Sequence, residues 1–301
     1  MTRVRQGNET REGSVMHGLA RPDLLAVGHV TKDLLPHGGY SIGGTATYAS
    51  LAALRLGASV AVFTSAPNDL DLSEALGGVA VHRVASLSAT TFENIYLGPH
   101  RKQYIHGTAR PLHPDDLPEA WRRSPIVLLC PIAGELGLDW MGTFRQSTVG
   151  VTPQGWMRRW DESGLISHQP WREAEQILPR VDVLVFSKED VGGDQELVQH
   201  YARLARIAAV TEGPLGVTVY WNGQSRRFPA YRAAAEIDPT GAGDVFAAAF
   251  LLRLKETQDP YLAAPFANCA ASFAIEGPGT TTLATRSQVE ARMARGELIS
   301  S

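Results

Sequence analysis

The sequence predicts an α/β protein with a mostly parallel central sheet, helices on both faces and a small β flap. Three observations predict it. Short apolar runs suited to strands buried on both faces recur along the chain, helical patterns alternate with them, and an alternating stretch at 91–108 stands apart from both. A chain of 301 residues can bury roughly three quarters of the surface it exposes unfolded, so it needs no disulfide or metal to hold a core. Length alone allows one large domain or two small ones.

The first twenty residues, MTRVRQGNETREGSVMHGLA, are polar and lack the apolar stretch of a secretory signal. Residues 1–20 are therefore expected to form a disordered leader, with Met16 a second candidate start, and 21–301 the folded domain. Leu24-Leu25-Ala26-Val27-Gly28 reads as a buried strand, and a Gly-rich turn leads from it into a helix over 45–56. Gly57 stops that helix, and Ser59-Val60-Ala61-Val62-Phe63 begins a second strand. Residues 125–131 and 181–186 read as further buried strands, and a helix over 195–207 leads into the strand Ala208-Ala209-Val210-Thr211. Alternation of this kind gathers ligands at the carboxyl ends of the strands. The last third changes character: 216–221 and 224–228 flank Asn222-Gly223, a hairpin turn signal, and two Ala-rich helices over 244–255 and 261–275 follow. The stretch TFENIYLGPHRKQYIHGT at 91–108 suits an exposed hairpin around Gly98-Pro99. With 33–42 it is a candidate flap over a ligand cleft; an edge hairpin remote from ligand is the alternative. No repeat or linker marks a domain boundary.

Composition narrows the function classes. The 28 basic and 31 acidic side chains leave a net charge of −3, which argues against a dedicated nucleic-acid binder. No run of 18 apolar residues is present, so no membrane span is expected, and the cytoplasm is the expected compartment. Cys130 and Cys269 each lie in an apolar run and read as reduced, buried thiols. No metal-ligand spacing occurs.

The sharpest local signal is Asp238-Pro239-Thr240-Gly241-Ala242-Gly243-Asp244, directly before an Ala-rich helix. Glycines let the backbone approach a ligand, and the helix turns unpaired N–H groups and its dipole toward the same point, so an anion is expected there. Asp244 stands in the first helical turn, where a carboxylate either caps the helix or serves as the base of a phosphoryl transfer. The residues alone leave both readings open. A Walker-type G-x-x-x-x-G-K-[ST] loop occurs nowhere, and Phe246 occupies the place of the third glycine of a dinucleotide fingerprint, so a nicotinamide or flavin enzyme is not expected.

Asp238 to Asp244 (DPTGAGD) resembles one signature of the ribokinase-like, or pfkB, family of carbohydrate kinases, and Gly43-Gly44-Thr45-Ala46-Thr47-Tyr48-Ala49 through Gly57 resembles the other. The resemblance covers the chain from Leu24 to about Thr285. It implies a ribokinase-like fold with a small lid and transfer of a phosphoryl group from ATP, with Mg2+, to a hydroxyl of a small polyol or sugar. By that resemblance Asp244 is the base and the amides of Gly241, Ala242 and Gly243 form the anion hole. Thr211, Gly213 and Gly216 match a T-x-G-x-x-G loop beside the nucleotide, and Asn268 falls near the adenine, with a solvent-facing Asn as the other reading. Asp238 and Thr240 match positions that border a monovalent-cation site, such as one for K+, in some members. Asp33, Gly43 and Gly44 match the substrate side, where a carboxylate with adjacent backbone donors suits a polyhydroxylated molecule. Glu135, following a strand end, faces either the cleft or the surface.

Two departures qualify the resemblance. Where many members carry N-x-x-E, this chain has Ser187-Lys188-Glu189-Asp190, so Ser187 and Asp190 take the nucleotide and water-mediated Mg2+ places with a carboxylate one methylene shorter. Thr45 and Tyr48 replace the Lys and Asn of G-G-K-G-A-N, which argues against ribose. Shorter cues, such as Val27-Gly28-His29-Val30-Thr31-Lys32-Asp33 and Ala133-Gly134-Glu135-Leu136, resemble the plant-type myo-inositol kinase branch. An inositol-like polyol is the favoured single substrate. A nucleoside kinase, or a non-catalytic ligand-binding regulator on the same fold, is the alternative, and the chain is expected to be a monomer or homodimer.

Overall fold

The computed structural model describes residues 20–97 and 100–299. The expected leader, with Met16, and the Gly98-Pro99 tip lie outside the described residues, apart from Ala20. In chain order the strands and helices are β1 (Leu24–Val27), β2 (Thr31–Leu34), β3 (Tyr40–Gly43), α1 (Thr45–Arg55), β4 (Val60–Ala66), β5 (Ala80–Ala85), β6 (Thr90–Leu97), β7 (His100–Gly107), β8 (Ile126–Leu129), β9 (Thr148–Val151), β10 (Arg158–Trp160), β11 (Ile166–His168), α2 (Ala174–Ile177), β12 (Val183–Ser187), α3 (Gln195–Leu204), β13 (Ile207–Thr211), β14 (Val217–Trp221), β15 (Gln224–Phe228), α4 (Ala242–Thr257), α5 (Pro260–Ala274) and α6 (Arg286–Arg295).

Nine strands form the main sheet in the order β15-β14-β13-β12-β9-β8-β1-β4-β5. Pairing is parallel from β13 to β5, and the β14–β15 hairpin adds an antiparallel edge. Third from the β5 edge, β1 is fully buried, and its alternate residues feed two cores. Leu24 and Ala26 join α1, α4, α5 and α6 on one face, while Leu25 and Val27 join α2, α3 and the large rings of Trp121, Trp140 and Trp156 on the other. This is the expected α/β architecture, with helices on both faces. Small residues set the helix packing: Ala247, Ala248, Ala249, Ala263, Ala264 and Ala267 are wholly buried. A Cβ on Gly150 of β9 would lie 2.7 Å from Leu251 Cδ1, so the glycine lets α4 rest directly on the sheet.

A second sheet has the order β3-β2-β6-β7, so the two segments marked for a flap pair with each other. The β10–β11 hairpin is tied to it where Ile105 N donates to Gly164 O at 2.9 Å. Several boundaries differ from expectation by a few residues, most of all at α3. The helix expected over 195–207 ends at Leu204, and β13 begins at Ile207, because Ala205 is already extended. The strands β5, β9, β10 and β11 and the helices α2 and α6 were not read from the sequence. Both cysteines are free and buried, as expected. Among the described residues no helix is long and apolar enough to cross a membrane.

Candidate functional site

A cavity of about 900 Å³ opens at the carboxyl ends of β12 and β13, between the N-termini of α1 and α4 and beneath the second sheet. Its floor is the 238–244 turn. Asp238 Oδ1 accepts from Thr240 N at 3.0 Å and Oδ2 from Gly279 N at 3.1 Å, which folds the chain so that α4 starts at the cavity. Gly241 has φ +80°, and a Cβ there would lie 2.1 Å from Tyr48 Cδ1. Only glycine fits, because the backbone is left-handed and the Tyr48 ring closes against it. Asp244 N and Val245 N both donate to Gly241 O, and Ala242 N donates to Pro239 O at 3.3 Å. Among the described residues the Gly241 and Gly243 amides have no protein acceptor. These two amides are open to an anion, whereas the Ala242 amide is shared with Pro239.

Asp244 lines the cavity from the first turn of α4. Burial raises its carboxyl pKa from 3.8 to about 7, the Thr45 hydroxyl that hydrogen-bonds to it and the Arg158 cation oppose that rise, and the Asp190 charge adds to it. A carboxyl poised near neutrality can take a proton from a hydroxyl and keep it. Across the cavity, Asp33 of β2 accepts from Thr31 Oγ1 at 3.0 Å, and burial raises its pKa also. A Cβ at Gly43 would lie 2.1 Å from Asp33 Oδ2, so that glycine leaves room for the carboxylate but does not itself line the cavity. Gly44, with φ +87°, lines it and caps α1.

The third wall carries Ser187, Asp190, Thr211, Gly213 and Gly216. Ser187 caps a short turn over 188–191: Glu189 N donates to Ser187 Oγ at 3.1 Å, and Ser187 N donates to Asp190 Oδ2 at 2.8 Å. Asp190 Oδ1 also accepts from Gln154 Nε2 at 3.3 Å. A Cβ at Gly216 would fall 2.1 Å from Phe228 O, so the loop after β13 presses against the end of β15. Asn268 is 7% exposed and faces the cavity wall, not open solvent; its Nδ2 donates to Phe228 O and Pro229 O at 3.2 and 2.9 Å.

Two sequence-derived candidates lie elsewhere. Glu135 neither lines the cavity nor reaches the surface: it is 3% exposed, and its carboxylate accepts from His29 N, Ile132 N and Ala133 N at 2.8 to 3.1 Å. The loop after β8 folds back on its own amides, which consumes the carboxylate. Asp238 lies behind the lining, its oxygens held by backbone donors, while Thr240 lines the cavity. The sequence also missed residues the fold brings in: Thr45 beside Asp244, the Tyr48 ring under Gly241, and Arg158, Phe92, Asn94 and Gln103 around Asp33. The place of Thr45 at the start of a helix was legible; the others carry no local pattern.

The fold is that of solved structures of the ribokinase family. Residues 172–286 match the model of the pfkB family carbohydrate kinases. The chain's similarity to individual members is partial. An inositol 3-kinase of Oryza sativa subsp. japonica is 30% identical over 265 residues, which cover 79% of this chain and 64% of that protein's length. A cytidine kinase of Thermococcus kodakarensis is 27% identical over 258 residues, covering 76% of this chain and 87% of that protein. Among solved structures, a pyrophosphate-dependent kinase of the ribokinase family, in a sulfate complex, superposes with a TM-score of 0.76 at 24% identity, covering 89% of this chain and 99% of its own. Arabidopsis thaliana ribokinase, complexed with ribose and ATP, gives 0.72 at 20% identity, with 91% and 99% covered.

Proposed function

We propose that the chain phosphorylates a hydroxyl of a small polyol or sugar, an inositol-like acceptor first, with ATP as donor. One observation carries the reading: a carboxyl poised near neutrality, Asp244, sits beside the two free amides of Gly241 and Gly243 and shares a cavity with the Asp33 carboxylate. Asp33 and Thr31 hold acceptor hydroxyls, Asp244 takes the proton of the attacking one, and the amides meet the charge of the phosphoryl group. Asp190 and Glu189 line the donor wall as hard oxygen donors, which suits Mg2+, an ion that takes one or two carboxylates and keeps its waters. When bound, that ion neutralises phosphate charge. Asp238 keeps lone pairs outside its two amide contacts, so a weakly held monovalent cation such as K+ fits beside Thr240.

The similarity to inositol 3-kinase supports the polyol, and the resemblance of the fold to a pyrophosphate-dependent kinase complexed with myo-inositol puts pyrophosphate forward as a second donor. The cytidine kinase similarity keeps a nucleoside acceptor as the second reading. The test is a panel of polyols, sugars and nucleosides with ATP or pyrophosphate, with and without Mg2+ and K+, read as phosphorylated product. Mg2+-dependent product from myo-inositol or a related polyol is expected. Product from cytidine alone selects the nucleoside reading, and binding without product from any acceptor refutes the kinase and leaves a ligand-binding regulator.

A further inference from the structure

We infer that Arg158 is a catalytic residue that grips the phosphoryl group as it passes from donor to acceptor, an inference that rests on the kinase reading above. Arg158 opens β10, on the hairpin tied to the second sheet, and it lines the cavity with Asp33 and Asp244. Its guanidinium is held from two sides: Nη1 donates to Ile132 O at 3.2 Å, beyond the end of β8, and Cζ stands 5.5 Å from the centre of the Phe92 ring on β6. The main sheet and the second sheet thus hold the cation where they meet.

Charge within the cavity makes this position informative. Among the described lining residues the cationic side chains are Arg158 and Arg232, and Arg232 belongs to the exposed 230–236 wall beside Tyr231 and Glu236. The acceptor end, with Asp33, Asp244 and Asp190 close by, has Arg158 as its cation. Its charge lowers the pKa of both Asp33 and Asp244, so it acts on the carboxylate that holds the acceptor and on the one that deprotonates it. A group in electrostatic reach of both stands near the acceptor hydroxyl that they hold and deprotonate. The phosphoryl group arrives at that hydroxyl.

The step balances without any bond to arginine. The acceptor hydroxyl gives its proton to the Asp244 carboxylate, its oxygen forms a bond to the terminal phosphorus of the nucleoside triphosphate, and the bond from that phosphorus to the bridging oxygen breaks. The leaving diphosphate keeps the electron pair. Carboxylates on two sides repel the equatorial oxygens of the group in transit, and the Gly241 and Gly243 amides reach it from the α4 side alone. A planar guanidinium donates two N–H groups from the opposite wall.

The test compares the unaltered chain with Arg158→Met, Arg158→Lys, Arg158→Ala and Asp244→Asn, using ATP, Mg2+ and the panel acceptor the unaltered chain phosphorylates. Arg158→Met is expected to lower kcat by about 10³-fold while acceptor KM changes by less than about tenfold. The acid limb of its pH profile should move upward, because Asp244 loses a nearby cation. Arg158→Lys should recover part of kcat, and guanidinium ion should restore part of it to Arg158→Ala, a rescue that a merely structural arginine does not allow. A normal kcat in Arg158→Met beside an inactive Asp244→Asn overturns this inference alone. A raised acceptor KM with kcat unchanged also overturns it, by making Arg158 a binding group only. Absence of product from the unaltered chain with every panel acceptor overturns the kinase reading and this inference together.

Discussion

Replacing Asp244 with Asn removes an ionisable group from the cavity while nearly keeping its shape, and it should separate activity from stability. Burial holds the Asp244 carboxyl at a pKa of about 7 instead of 3.8, against the pull of Thr45 and Arg158. The folded chain therefore binds this proton more tightly than the unfolded chain. As pH rises from about 4 to about 7 the unfolded state releases its proton first, so the contribution of Asp244 to stability falls through that window. Below it both states are protonated and there is no penalty; above it both are ionised and the full penalty is present. At about 1.4 kcal/mol per unit, the interval from 3.8 to about 7 amounts to about 4 kcal/mol, an upper figure because the carboxyl opens onto the cavity. With an unfolding entropy of roughly 2 cal/mol/K per residue, a chain of 301 residues gains roughly 6 °C in Tm for that energy. Calorimetry of both proteins near pH 4 and about pH 8 should show matching Tm values at the low pH and a higher Tm for Asp244→Asn at the high pH. Turnover of the variant should fall by roughly 10²–10⁴-fold, and kcat/KM of the unaltered chain should fall off as pH drops below about 7. A Tm gap that does not change with pH, or a variant less stable at about pH 8, refutes the buried, neutral carboxyl on which this reasoning depends.

Two further substitutions probe the supports of the site. Gly241→Ala places a Cβ 2.1 Å from Tyr48 Cδ1 at a φ of +80°, so the amides must shift; kcat should fall by about 10²-fold or more with acceptor KM little changed, and an unchanged kcat in steady-state assays counts against the anion hole. Glu135→Gln leaves one of three amides without an acceptor and should cost about 1–3 kcal/mol, read as a lower Tm, with acceptor KM unaltered; a raised KM without a Tm change places Glu135 against the acceptor instead.

What could be read from the sequence follows from how each part is encoded. The turn at 238–244 is contiguous backbone, so DPTGAGD announces it, and β1 announces a doubly buried strand because both of its faces are apolar. Half-exposed β5, with Ala80 and Ala85 at its exposed ends, has too little contrast to stand out, and the four residues of β9 include Gly150, whose value lies in its contact with Leu251. Thr285 and Gln288 form a capping box at the start of α6, a signal that was legible in the spacing and not used. Glu135 shows a harder limit. A carboxylate just beyond a strand end has the same sequence signature whether it meets a ligand or three backbone amides, and only the path of the loop decides. Tyr48 read as a departure from an Asn, whereas the fold uses it as the surface against which Gly241 closes.

The two carboxylates proposed to hold the acceptor and to deprotonate it, Asp33 and Asp244, lie on different layers, yet a short path of chain links the first to the second. From Asp33 on β2 the backbone turns through β3 to Gly43 and Gly44 and delivers Thr45 to the Asp244 carboxyl. Side chains at either glycine would collide along this path, with Asp33 Oδ2 at Gly43 and with His29 O, at 2.9 Å, at Gly44. The other end of β2 is fixed through His29, whose Nε2 faces Arg110 O at 2.9 Å and so carries the hydrogen. Its Nδ1 then accepts from Thr90 Oγ1 at 2.7 Å, while its backbone N donates to Glu135 Oε1. The second sheet is thus pinned to the main sheet through buried polar contacts at His29 and through two glycines whose vacant Cβ positions the neighbouring atoms require. That sheet carries Asp33, Phe92, Asn94 and Gln103, whereas Thr45 and Asp244 stand on α1 and α4. The double glycine therefore sets the separation between Asp33 and Asp244, and in the proposed reaction phosphoryl transfer would be sensitive to errors of about 1 Å in that separation.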